Sequence, residues 1–319
     1  MSKGYDANAA VSARPAKQQA LKRSYVIKNW QIYSMIVPGL LFFVIFKYIP
    51  LAGSIIAFQN YTPFGGILGS KFVGLEHFVR LFSYPEFYRV LRNTLLISMY
   101  QLIFGFPAPL ILALLLNEVR KVAMKRFMQT ILYVPHFLSW VILGGMVMTL
   151  LSPDRGLVNH VLNSFGSDSV FFMQQPEYFR SIVVISGVWK EAGWGTIVYL
   201  AALTGVNPEL YEAAEVDGAG KLRQVFSVTI PAIMPTIMVL LLLKIGHMLD
   251  LGFEQIYVLL NPLVRETGDI LDTYIYEVGL LGGQYSYTTA IGLFKSVVGL
   301  ILILGANAIS KKTTGDSIY

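Results

Sequence analysis

Apolar runs of roughly 20 residues recur along this chain, the length an α-helix needs to cross the hydrocarbon core of a bilayer. The 319 residues are 55% hydrophobic and only 14% charged, with a mean hydropathy of +0.57. Soluble domains seldom carry so few charges. The fold class expected is therefore all-α and integral to a membrane, with six transmembrane helices. The spans fall at about 31–58, 93–116, 128–151, 180–202, 231–253 and 287–308. They make one transmembrane domain over residues 31–308, between an N-terminal tail (1–30) and a C-terminal tail (309–319). The first 30 residues are polar and basic, without the short apolar core and small-residue cleavage site of a signal peptide, so a retained tail is expected. Pro38, Pro50, Pro107, Pro109 and Pro135 lie inside spans. There they should kink helices or free backbone groups that neighbouring helices must satisfy.

Orientation follows from Lys and Arg placement. With the N-terminus inside, 14 of the 25 basic residues fall in inner segments, 6 in outer segments and 5 within spans. Both termini and the segment 203–230 are then cytoplasmic. This bias accounts for a pI near 9.3 without a nucleic-acid partner. The chain has no cysteine, which excludes disulfides and thiolate metal sites. His77, His136, His160 and His247 are too scattered to suggest a metal site. In the outer segments, Phe78, Leu81 and Phe82 share one helical face, expected to lie on the membrane surface, and Leu157 opens a short helix after a Pro153–Gly156 turn.

The inner segment 203–230 is the most patterned polar stretch. Asn207 can cap a helix that Pro208 begins, and Glu209 and Glu212 sit near its positive end. Leu210, Ala213, Ala214 and Asp217 share a face whose small residues would let a partner surface approach. Gly218 and Gly220 permit a turn, and Lys221–Val228 can form a second short helix. Gly218-Ala-Gly-Lys221 is not a phosphate loop, because Glu215 and Leu222 stand where that motif needs Gly and Ser or Thr.

Charges inside spans form the other constellation. Lys190, Glu191 and Trp194 can line one wall of the fourth span. Lys244, His247 and Asp250 follow at intervals of three on one stripe of the fifth, and Lys295 sits mid-way along the sixth. Such groups should face the bundle interior or a watery cavity, or pair with one another to hold helices together. Lys47, near its span's outer end, can snorkel to the interface. Charge, hydroxyl and aromatic groups together suit a sugar pathway, since aromatic faces stack on sugar rings. Four lysines against two acids within the spans favour an anionic passenger.

Residues 212–231 resemble the EAA loop of binding-protein-dependent ABC importer permeases. Glu212, Ala213, Ala214, Gly218 and Pro231 match at the family's spacing, while Val228 and Ile230 replace its Ile and Leu. Phe72–Leu81, Asn93-Thr-Leu, Arg126–Pro135, Gly156-Leu-Val-Asn, Val188-Trp-Lys and Leu271-Asp-Thr-Tyr are similar to the family's sugar branch, the maltose-permease-like group. Lys47–Phe58 is similar to a subgroup that imports polysaccharide fragments, including uronate-containing ones. The resemblance implies a type I ABC importer permease fold with a cytoplasmic coupling helix, in the cell membrane of a bacterium. It implies a second homologous permease chain, two cytoplasmic ATPases that bind ATP and Mg, and an extracellular solute-binding protein delivering oligosaccharide. Glu212, Ala213, Ala214, Asp217 and Gly218 would form the ATPase-coupling surface. The outer loop, including Asp154, Arg155 and Asn159, would meet the binding protein. No cofactor or catalytic residue is expected in this chain.

Three alternatives stand beside this reading. An ion-coupled carrier could use Asp250, His247 and Glu191 as a proton relay. An ABC permease could carry a non-sugar solute. A membrane scaffold would transport nothing.

Overall fold

The computed structural model describes residues 28–313. Most of the expected N-terminal tail and the last residues of the C-terminal tail lie outside them. The expected apolar runs coincide with helix except at residues 138–139 of the third and 247–252 of the fifth, where the helix stops at Gly246, so His247 and Asp250 do not continue the expected helical stripe from Lys244. α1 spans Trp30–Phe58, α3 Pro85–Glu118, α9 Lys221–Gly246 and α12 Tyr285–Lys312, all long and apolar enough to cross a membrane. The amphipathic α2 (Glu76–Ser83) lies between α1 and α3. α4 (Val122–Phe137) and α5 (Trp140–Leu150) pass the same test only as a pair bent by 105°. α7 (Pro176–Thr204) has 29 residues, but Lys190 and Glu191 interrupt its apolar run. By length and composition the described residues therefore hold four spans, or five with the bent pair.

Shorter elements cap the bundle. α6 (Leu157–Ser164) follows α5, α8 (Pro208–Val216) joins α7 to α9, and α10 (Phe253–Leu259) follows α9. Residues 271–281 form α11. A two-stranded hairpin pairs β1 (Gln59–Asn60) with β2 (Lys71–Phe72), Gln59 opposite Phe72.

Of the prolines expected to disturb their helices, Pro38 lies inside an unbroken one, while Pro50 and Pro107 share a specific device with Pro231. Three π-helical turns, Val44–Tyr48, Gln101–Gly105 and Val225–Thr229, each end two residues before a proline: Pro50, Pro107 and Pro231. Proline has no N–H, and its ring crowds the carbonyl four residues back. An extra residue in the preceding turn opens that space without breaking the helix. The second short helix expected at Lys221–Val228 is consequently absent as a separate piece. Lys221–Gly246 runs on as one helix of 26 residues through the widened turn. Pro135 acts differently, because its helix stops after Phe137 and Ser139 caps the next one, its Oγ accepting from Ile142 N at 3.3 Å.

Three apolar clusters hold the bundle. At one end Ala113, Tyr199, Leu203, Ile233 and Ile237 join α3, α7 and α9. At the other, Leu143, Val147, Phe179, Ile182, Ile256 and Leu259 join α5, α7 and α10. Beside it Leu81, Phe87, Val90, Leu271, Tyr287 and Ile291 join α2, α3, α11 and α12. Leu81 is thus turned into the protein body, whereas Phe82, on the same face, remains half exposed.

α7 is the central helix because its small residues let neighbours approach. A Cβ on Gly193 would lie 1.9 Å from the Leu132 carbonyl oxygen of α4, and one on Gly195 2.8 Å from Pro109 of α3. Backbone cannot yield as a flexible side chain can. Gly193→Val should therefore destabilise the protein by about 1–3 kcal/mol or more. Thermal unfolding in detergent should register this as a lowered midpoint, whereas Gly145→Ala, where a Cβ meets nothing within 4 Å, should leave it unchanged.

Candidate functional site

The expected coupling segment forms an exposed knuckle. Asn207 caps α8, its Oδ1 accepting from Glu209 N at 3.1 Å. The helix ends at Asp217, and Gly218 adopts φ +75°, a left-handed conformation that glycine alone takes freely. Ala219 N then donates to Ala214 O at 2.9 Å, closing the turn. Gly220 needs no such freedom, since its φ is −68°. The knuckle is fastened to α9. Tyr211 OH bonds Thr229 Oγ1 at 3.0 Å, buried Gln224 donates to Ala219 O at 3.1 Å, and Lys221 pairs with Glu215 at 3.3 Å. Glu212, Ala213, Asp217 and Gly218 are exposed and Ala214 is half-buried. Val216, Leu222 and Phe226 add exposed apolar surface around them.

The expected wall of Lys190, Glu191 and Trp194 divides into two functions. Lys190 is buried, and its ammonium donates to the carbonyls of His136 at 2.8 Å and Leu138 at 2.5 Å, over the Trp140 ring. It thus satisfies backbone groups released where α4 breaks from α5. Glu191 and Trp194 are exposed beside it. Glu191 pairs with His136 Nδ1 at 3.0 Å, and the Trp194 ring stacks flat on His136, centroids 4.5 Å apart. His136 was missed because a single histidine after Pro135 carries no spacing signal. Lys244 is exposed and within electrostatic reach of Glu191.

His247, Asp250 and Lys295 do come together, joined by Asp272. Lys295 Nζ lies 2.6 Å from Asp250 Oδ1 and 2.5 Å from Asp272 Oδ1, and His247 Nδ1 lies 3.3 Å from Asp250 Oδ2. The four residues line a cavity of about 540 Å³ between α9, α11 and α12. The lysines do not form one cationic site. Lys47 is exposed on α1, Lys190 serves backbone carbonyls, and Lys295 is shared by two carboxylates.

In the loop after α5, Asp154 and Arg155 are exposed. Asn159, expected to face a partner, is instead 1% exposed. Its amide donates to Ser152 O and Val170 O at 3.1 and 2.9 Å and accepts from Val170 N at 2.7 Å, so it shapes the loop from within. A second polar clamp holds residues 264–274 against α3 and α7. Asn93 donates to Glu266 O and Asp269 O at 2.9 and 3.0 Å and accepts from Arg180 at 2.8 Å. Thr94 Oγ1 accepts from Leu271 N at 3.0 Å. Burial pushes the Asp269 carboxyl up from its ordinary value, opposed by the Thr273 hydroxyl that donates to it.

A helical membrane body with an exposed, glycine-turned knuckle at one end and clamped polar loops at the other defines a permease of the type I ABC importer fold. The chain belongs to the family described as binding-protein-dependent transport system inner membrane component, matched over residues 105–315. It is 50% identical over 312 residues to the polygalacturonan/rhamnogalacturonan transport system permease protein YteP of Bacillus subtilis (strain 168), covering 97% of each chain. It is 32% identical to the arabinooligosaccharides transport system permease protein AraP of the same organism, covering 94% of each. Among solved structures it is similar to a chain of a bacterial alginate ABC transporter in complex with an alginate pentasaccharide-bound periplasmic protein. The TM-score is 0.85 and the identity 44%, covering 92% of this chain and 99% of that one.

Lys190→Met keeps the length of the stem and removes the donor. It should cost about 1–3 kcal/mol for each carbonyl left unsatisfied. The measurement is the thermal midpoint of the purified protein, with Glu191→Gln, on the exposed side of the same helix, expected to change it little.

Proposed function

We propose that this chain is a permease subunit of an ATP-driven importer for uronate-containing oligosaccharides. The observation that carries the reading is the exposed α8 knuckle, pinned to α9 through Tyr211 and Thr229. An external motor could press on its exposed face, and the bonds beneath would pass the displacement into a spanning helix. In this reading Glu212, Ala213, Ala214, Asp217 and Gly218 meet two cytoplasmic ATPases that hold ATP and Mg. A second homologous permease chain completes the pathway, and a solute-binding protein docks at the opposite end, where Asp154 and Arg155 are exposed. The basic-residue bias supports cytoplasmic termini and a cytoplasmic knuckle.

The acidic cargo is supported by the relatives. One is named for polygalacturonan and rhamnogalacturonan, and the structural neighbour belongs to an alginate transporter. Glu191, Trp194, Lys244, His247, Asp250 and Lys295 remain the proposed pathway residues, while buried Lys190 supports their wall. The His247–Asp250–Lys295 chain gives some support to an ion-coupled carrier. Collapsing the proton gradient while ATP is sustained separates the two, since only a carrier should stop.

Two outcomes are expected from vesicles holding the permease pair, ATPases and binding protein. Uptake of a galacturonate trisaccharide should need ATP and exceed that of its uncharged methyl ester; equal uptake would remove the acidic assignment. Ala213→Trp should cut ATP-driven uptake by about tenfold or more, an expectation from steric exclusion at a close-packed contact. The protein should still insert in the membrane and keep its thermal midpoint, while unchanged uptake would count against docking at α8.

A further inference from the structure

Lys295 lies ten residues into α12, about 15 Å along the helix. Its side chain is only 15% exposed. Two carboxylates on one ammonium leave these three groups net negative, an unwelcoming field for an anionic sugar. The two acids are not equivalent. Asp272 is 22% exposed and fixed in the first turn of α11. Asp250 is 58% exposed, lies in the irregular stretch after α9, and already has a second partner in His247.

We infer that Lys295 selects acidic over uncharged cargo by exchange: a uronate carboxylate replaces Asp250 on the ammonium, Asp272 stays, and Asp250 moves onto His247. This rests on the acidic-oligosaccharide reading above. Before and after exchange Lys295 has two anionic partners, so a buried cation is never left bare, a state that is strongly unfavourable. The empty cavity also does not present an open cation that would trap small anions. An uncharged sugar offers hydroxyls alone, which compete poorly with a carboxylate for an ammonium. It therefore leaves Asp250 in place. Exchange also loosens a tie between the stretch that follows α9 and α12, because Asp250 and Lys295 pair across the cavity.

The test uses the complete reconstituted complex and compares the galacturonate trisaccharide with its methyl ester. Lys295→Gln should lower uptake of the charged sugar by about tenfold and change that of the ester by less than about twofold, as expected when a charge-assisted contact is lost. Asp250→Asn removes the competitor and should lower the half-saturating concentration of the charged sugar several-fold. A merely structural ion pair predicts the opposite sign for the second variant. Were both substitutions to slow uptake of both sugars alike, the exchange would be overturned. Should Lys295→Gln fail to assemble, Asp250→Asn decides alone, and a raised half-saturating concentration overturns the inference. Wild-type uptake indifferent to charge would remove the acidic reading itself. A preference retained by Lys295→Gln would remove the exchange and leave that reading intact.

Discussion

Backbone groups that lose their helical partners inside a bilayer must find others, because no water is there to take them. Much of this structure answers that requirement. The bend between α4 and α5 releases carbonyls, and the Lys190 ammonium takes two of them. The irregular stretch after α9 is held by Ser98, whose hydroxyl donates to Met248 O. Gln255 of α10 donates to Val183 O of α7 at 2.6 Å. Before Pro50, Pro107 and Pro231 a widened turn absorbs the misfit within the same helix. The break between α4 and α5 and the stretch after α9 are therefore built features, with freed carbonyls satisfied by Lys190 and Ser98.

That principle explains why several short sequence signatures belong together. Asn93-Thr94 and Leu271-Asp272-Thr273 are far apart in the chain and bonded in space, through Asn93 to Asp269 O and Thr94 to Leu271 N. The run ending in Pro135 and the Val188-Trp-Lys190 stretch meet at the α4–α5 bend. Gly156 and Asn159 close the loop that contains them: a Cβ on Gly156 would lie 2.4 Å from Ser152 O, and Asn159 bonds that same carbonyl. Signatures separated by 50 or more residues thus meet in single contacts, Thr94 with Leu271 and Lys190 with the bend after Pro135.

The apolar runs and α8 were legible because each depends on local pattern: span length, a cap at Asn207, a glycine at 218. The partners of buried charges were not. Lys190 looked like a pathway residue because sequence shows a charge in a span and does not show the carbonyls freed by a bend 52 residues earlier. Asp272 went uncounted because it lies outside the apolar runs, though the fold lays it against Lys295. Asn159 looked like a surface residue because it follows a turn, and only the path of the chain back to Val170 reveals it as internal. Tertiary proximity decided these cases, and charge counts along the chain carry little of it.

Thr229 closes the widened turn of α9 and also shares a hydrogen bond with the Tyr211 hydroxyl of α8. Single π-helical turns inside α-helices are rare and recur at functional sites. Any displacement of α8 would therefore reach α9 at its widened turn rather than along a regular stretch of helix.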